Sequence, residues 1–326
     1  MLFDIRHVTQ YNYDEPVRES VMELWMQPRA AHGQNLINFN LEIDPPAQVF
    51  SYVDSWGNTV RHFDVPHPHR RLTITAHSLV ETDAPPPLPA ALDASEWESL
   101  ASDTVLGDCW DFLRPHGFAA STPALERFSE AHGVAALRGH DALTALRELN
   151  GVLYRGLDYE TGVTGADSPI DEALEGGRGV CQDFAHIMIA ICRGWGVPAR
   201  YVSGYLATNR DQGDRSDPQA THAWVEVFLP SLRWVGFDPT NNVLAGERHI
   251  PVAIGRDYSD VPPSRGVFKG DAESQLSVGV SVRQAHAESA EPDFFRLGAP
   301  AIAAARRRAS TAARLDHQHQ QEQQQQ

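Results

Sequence analysis

The sequence predicts an α+β protein, and three observations carry that expectation. Residues 1–81 read as short, closely spaced β-strands, residues 82–91 form a Pro-rich break, and beyond it helical spacings come first and strand-like runs second. The expected organisation is an antiparallel β-rich N-terminal domain over 1–81, a linker over 82–91, a second domain over 92–284 and a tail over 285–326. With 326 residues the chain has room for about two domains of ordinary size.

In the first part, Phe3, Ile5, His7, Thr9 and Tyr11 alternate with more polar neighbours, the period of a half-buried strand. Further runs follow at 21–26, 36–43, 49–53 and 72–80, with Trp56-Gly57-Asn58 as a hairpin turn. Strands at this spacing build an antiparallel sheet or sandwich. Thr82-Asp-Ala-Pro-Pro-Pro-Leu-Pro-Ala-Ala is stiff and extended, and composition changes on its far side.

Helical signals begin at Ser121-Thr-Pro-Ala-Leu-Glu-Arg-Phe, where Pro123 sits just inside the capping hydroxyl of Thr122. Over 141–154, Leu143, Leu146, Leu149 and Leu153 form an apolar stripe, and Ser168-Pro-Ile-Asp-Glu-Ala-Leu opens a short helix ending at Gly176-Gly177. The stretch 179–194 is apolar on every side and stops at Gly194, as a buried helix does. Strand-like runs then come at 199–206, 221–229, 233–238, 250–254 and 275–282. From 285 onward periodicity is lost, and the Gln-rich end has the composition of a disordered tail.

Charge and cysteine content exclude several functions. Lys+Arg number 27 against 43 Asp+Glu, a net charge of −16 with Lys269 the one lysine, which argues against a nucleic-acid binder. No segment approaches the run of about 18 apolar residues that spans a membrane, and the start Met1-Leu-Phe-Asp-Ile-Arg lacks an export signal's pattern. Cys109, Cys181 and Cys192 are too few for a disulfide framework and point to a reducing, cytoplasmic setting.

Any thiol chemistry therefore uses a cysteine singly. Cys181 stands at the first turn of its helix, where unsatisfied backbone N–H groups and the positive dipole end stabilise a thiolate. Cys192 lies about 16 Å further along the same helix and reads as packing. His186 is about 140° around the helix from Cys181 and faces elsewhere.

His222 is the stronger base. It opens the strand His222-Ala-Trp-Val-Glu-Val-Phe-Leu, which Pro230-Ser-Leu joins to Arg233-Trp-Val-Gly-Phe-Asp-Pro. With Leu229 opposite Arg233, Trp224 faces Asp238 and His222 is the diagonal neighbour of Asp238 on the same face; sliding the register by one would separate them. A Cys–His–Asp set follows: Cys181 as nucleophile, His222 as general base and acid, and Asp238 fixing the ring, with the Cys181 N–H as an oxyanion donor. Taken singly, each has a plainer reading as core cysteine, structural histidine or turn aspartate; the joint arrangement favours chemistry.

These residues also carry a resemblance. Gly179-Val-Cys181-Gln-Asp-Phe-Ala-His, Gly196-Val-Pro-Ala-Arg-Tyr-Val-Ser-Gly-Tyr, Thr221-His222-Ala-Trp-Val-Glu-Val and Gly236-Phe-Asp238-Pro-Thr-Asn resemble the bacterial transglutaminase-like superfamily, relatives of papain-type cysteine proteases, over roughly residues 143–242. The first 80 residues look like the N-terminal domain that precedes this core in bacterial members. The resemblance implies a nucleophile-bearing helix packed on an antiparallel sheet, with Cys181, His222 and Asp238 as the catalytic triad.

The chain departs from the family's animal members in two respects. No Trp lies between Trp110 and Trp195 to supply a second oxyanion contact, leaving Tyr154 or Tyr159 against a core or rim role for each. Asp211, Asp214 and Asp217 do not have the alternation of a calcium loop and read as a solvated loop at the rim of the site. Trp224 and Trp234 either wall the acyl cleft or pack the core. The stretch 252–260 resembles one found downstream of the triad in bacterial members and receives no role. His67 and His69 form no metal-ligand set, and no cofactor or metal is expected.

The leading expectation is a cysteine peptidase or amidase that forms a thioester on Cys181 and resolves it with water, acting on a peptide or other amide substrate. Acyl transfer to an amine is the alternative, and a non-catalytic binding module is a third reading.

Overall fold

In the first part of the chain strands form where the alternation marks them and in one further place. The structure, a computed structural model, describes residues 1–30, 33–165 and 168–285. Its first part contains β1 (Leu2–Val17), β2 (Glu19–Leu24), β3 (Gln34–Asp44), β4 (Val49–Val53), β5 (Thr59–Val65) and β6 (His69–Thr82). β5 is the strand that periodicity missed. The turn before it has Gly57 at φ 76°, a left-handed conformation that glycine adopts without strain. Asp54 holds the turn, its Oδ1 accepting the N–H groups of Trp56 and Asn58.

The second part opens with helices α1 (Glu96–Leu100), α2 (Asp103–Asp108), α3 (Pro123–Ala131) and α4 (Ala142–Gly156). The Thr122 hydroxyl accepts the Leu125 N–H at 3.2 Å, the cap expected before Pro123. Leu143, Leu146, Leu149 and Leu153 of α4 are all 0% exposed, so each contributes about 1.5–3 kcal/mol of burial. The two-residue strand β7 (Asp158–Tyr159), α5 (Ile170–Gly176) and β8 (Arg178–Gly179) follow. β7 and β8 pair in parallel, with Tyr159 opposite Gly179.

Helix α6 (Cys181–Gly194) is buried along almost its whole length and packs on β9 (Ala199–Leu206) and β10 (His222–Leu229). The sheet continues through β11 (Arg233–Asp238), β12 (Val243–Leu244) and β13 (His249–Gly255) in the order β12-β11-β10-β9-β13, with every pair antiparallel. This is the α+β architecture expected, a helix on an antiparallel sheet.

The last strands, β14 (Ser264–Lys269) and β15 (Ser274–Gln284), do not join that sheet. They complete the N-terminal ones, in the orders β15-β1-β6-β3 and β14-β2-β5-β4. The run at 275–282, grouped by sequence with the second domain, thus pairs with β1, from Phe3 opposite Gln284 to Tyr13 opposite Ser274. Without it β1 would present an unpaired edge. Residues 1–284 form one compact unit. Among the described residues no helix is long and apolar enough to cross a membrane. The tail expected from 285 lies outside the described residues, apart from Ala285.

Candidate active site

Cys181 is the first residue of α6 and is 9% exposed. The preceding Val180 is extended, and its N–H donates to Asp183 Oδ2 at 2.8 Å, so a carboxylate in the first turn fixes the helix start. Thr164 Oγ1 donates to the same oxygen at 2.6 Å and ties the loop after β7 to it.

The β10–β11 register is the one the sequence predicts: Leu229 faces Arg233 and Val225 faces Phe237. It brings His222 and Asp238 together, with Nε2–H donating to Oδ2 at 2.8 Å. Asp238 is 0% exposed, and five donors surround its carboxylate. Oδ2 also accepts from His249 Nε2 at 3.1 Å and Asn241 Nδ2 at 2.7 Å, while Oδ1 accepts the N–H groups of Thr240 at 3.1 Å and Asn241 at 3.2 Å. So many donors favour the anion. Burial would raise this carboxyl, but His222, with His249 behind it, holds it well below the usual carboxylate range.

His222 is 3% exposed, and with Nε2 committed to Asp238 its Nδ1 is left without a hydrogen-bond partner in the structure. Burial opposes charging the ring, but Asp238 and Cys181 outweigh it and push His222 up to about 10. Asp238 thus orients the ring and favours the imidazolium, while Nδ1 is the atom available to exchange a proton with the thiol.

His222, Asp238 and His249 are also a group whose ligand atoms lie within 4.8 Å of one another, so they are candidates for a metal. The hydrogen bonds argue otherwise. His249 Nδ1 accepts the Gly246 N–H at 3.2 Å, which puts the proton of the neutral ring on Nε2, facing Asp238. A metal on Nε2 would move that proton to Nδ1, against the backbone N–H.

The other sequence candidates are distributed around this centre. Tyr159 lies beside Cys181, close enough for burial and the thiol to push it up to about 12; its hydroxyl accepts the Asp217 N–H at 3.2 Å. Tyr154 instead stacks under the Arg215 guanidinium at 3.5 Å. Cys109 and Cys192 are buried, and burial raises Cys192 to about 12. His186 is a core residue stacked on Tyr201 at 5.0 Å, its Nε2 accepting the Tyr258 N–H. His69 Nε2 meets Ser20 Oγ at 2.9 Å, a structural contact.

Of the two readings of Trp224 the core one holds, and one other reading changes. Trp224 is 1% exposed and stacks on His222 at 6.0 Å; with Trp234 it lines a cleft of about 960 Å³ that His249, Pro86 and Gly33 also line and Cys181 does not. Asp214 is not solvated: it is 4% exposed and paired with Arg248 at 2.6 Å, so the 209–220 loop is anchored. Asn241 adds a second anchor, its Oδ1 accepting the Arg215 N–H at 2.8 Å and its Nδ2 donating to Ser216 Oγ at 2.9 Å. In the 252–260 stretch, Asp257 is 0% exposed and accepts the N–H groups of Phe118 and Ser259, joining the 116–118 loop to the end of β13.

Asn241 and His249 were not singled out by sequence. Asn241 stands in the Asp238-Pro-Thr-Asn run, where an amide three residues after a buried carboxylate is a usable signal. His249 has none, because its contact with Asp238 comes from the fold of β11 to β13.

Comparison with known proteins adds an independent line. The bacterial transglutaminase-like N-terminal region matches residues 3–81 and the transglutaminase-like superfamily matches residues 133–239. An uncharacterized protein of Mycobacterium leprae is 35% identical over 277 residues, covering 85% of this chain and 96% of that protein. The protein-glutamine gamma-glutamyltransferase of Pseudomonas aeruginosa is 35% identical over 121 residues, 33% of this chain and 17% of that protein. Among solved structures, a candidate cysteine protease from Cytophaga hutchinsonii is similar in fold, with TM-score 0.67 and 20% identity, covering 88% of this chain and 92% of that one.

Proposed function

The chain belongs to the bacterial transglutaminase-like superfamily, and from that premise we propose that it is a cysteine-dependent amide-cleaving enzyme, a peptidase or amidase working through Cys181, His222 and Asp238. The observation that carries the reading is the His222 Nε2–Asp238 Oδ2 bond at 2.8 Å, which leaves Nδ1 for the thiol of Cys181. In the acylation step the Cys181 sulfur attacks the amide carbonyl, with its proton held on His222. The Cys181 N–H, at the first position of α6 where no intrahelical acceptor exists, and the O–H of Tyr159, which lies near enough to feel the thiol's charge, are the donors we assign to the developing oxyanion. His222 then protonates the departing nitrogen, and the thioester forms. In the second step Nδ1 takes a proton from water, which attacks the thioester and releases the acid.

Transfer of the acyl group to an amine uses the same first step, and the similarity to the Pseudomonas aeruginosa transferase over 121 residues favours keeping it as the second reading. Hydrolysis is preferred because the acidic loop lacks the alternation of a calcium site. Cytoplasmic residence, read from cysteines that form no disulfide, is part of the same proposal.

Mass spectrometry of a Gln-containing peptide incubated with the enzyme and a primary amine separates the two. Hydrolysis exceeding amine incorporation is expected, and incorporation at a rivalling rate overturns the preference. Iodoacetamide near neutral pH tests the nucleophile: Cys181 is expected to react faster than Cys109 or Cys192. Equal rates would leave a binding module.

A further inference from the structure

Asp238 serves two histidines. His222 and His249 approach the same oxygen, Oδ2, at 2.8 and 3.1 Å, with ring centroids 6.2 Å apart. His249 has a fixed proton: its Nδ1 accepts the Gly246 N–H at 3.2 Å, so Nε2 carries the hydrogen. Trp224 packs edge-on against this ring at 5.2 Å, and the His249 side chain is 4% exposed, which holds it against turning.

We propose that His249 is a positioning residue, a neutral second donor on Asp238 that limits how firmly the carboxylate holds a proton on His222. The proposal rests on the assignment of His222 as the general base. In the second step that ring must give and take a proton, and a carboxylate bonded to it alone would hold that proton more firmly still. An N–H on the same oxygen draws off part of the negative charge. Burial lowers His249, which keeps it neutral while it does so. The charged and titratable groups around the pair are Cys181 from α6, Asp238 from β11, and Arg248 with its partner Asp214 beside His249.

Ring-nitrogen NMR on the full chain carrying Cys181→Ala reads the effect without a substrate, with His222 assigned by the loss of its signals in His222→Gln. The parent is expected to titrate above the ordinary histidine value of about 6.5. His249→Phe, which keeps a ring and removes the donor, is expected to raise the His222 midpoint by about one pH unit. His249→Gln, which keeps an N–H, is expected to restore it. An unchanged or lowered midpoint in His249→Phe overturns the proposal. Should that variant not fold, the native ring decides: His249 protonated on Nδ1 rather than Nε2 between pH 6 and 9 also overturns it. A parent His222 titrating at the ordinary value removes the Asp238–His222 pairing itself, and the functional reading with it.

Discussion

Replacing Asp238 with asparagine is the sharpest test of the charge arrangement. An amide has one acceptor where the carboxylate has two, and whichever way it turns, its NH2 meets N–H donors, from His222, His249 and Asn241 on one side or from the backbone of Thr240 and Asn241 on the other. The larger loss is in charge. His222 stands at about 10 against an ordinary 6.5, and 3.5 units correspond to about 5 kcal/mol, an upper figure because Cys181 supplies part of it.

The sign follows from linkage. A histidine raised in the folded state contributes stability that is complete below pH 6.5 and lost as pH rises through about 10. Asp238, depressed in the folded state, contributes stability present above the ordinary carboxylate range and lost as pH falls below it. Urea unfolding of both proteins at pH 5.5 and pH 9.5 is the assay. The native chain's advantage over Asp238→Asn is expected to shrink between them, by at most about 4 kcal/mol since Cys181 keeps its share in both proteins. Turnover is expected to fall on the order of 10⁴-fold, as when the aspartate of a Ser–His–Asp protease becomes an amide. An advantage that does not change with pH would refute the reasoning.

Two further substitutions test the support around the pair. Asn241→Ala leaves the Arg215 and Ser216 N–H groups without their acceptor and is expected to cost about 2–4 kcal/mol in urea unfolding, with loss of hydrogen-exchange protection at both amides; retained protection would show that the loop is anchored elsewhere. At Gly204, an added Cβ would stand 2.3 Å from the Ile250 oxygen and 2.5 Å from the Trp224 ring, so Gly204→Ala is expected to destabilise by about 1–3 kcal/mol. Because Trp224 packs on both His222 and His249, the same variant is expected to slow alkylation of Cys181, and a native rate would separate the tryptophan from the site.

What the sequence determined by itself was governed by near neighbours, although β5, a local hairpin partner of β4, escaped it. Alternation located β1, the leucine stripe located α4, and the unbroken apolar run located α6 with Cys181 at its head. The His222–Asp238 contact was legible for the same reason: a three-residue connection restricts the register, and the pleat then decides which side chains share a face. The tertiary structure alone decided the rest. β15 pairs with β1 across more than 260 residues, and no local period says which open edge a strand will fill. Its Val280 N–H also bonds to the Gln219 carbonyl, so the last strand of the N-terminal layer supports the loop that delivers His222. His249, silent in sequence, reaches Asp238 because β13 lies on the far side of β9 from β10 and its first residue turns in beneath the pair. Residues close in sequence are constrained by backbone geometry; residues brought together by sheet order are constrained by the burial of the whole core.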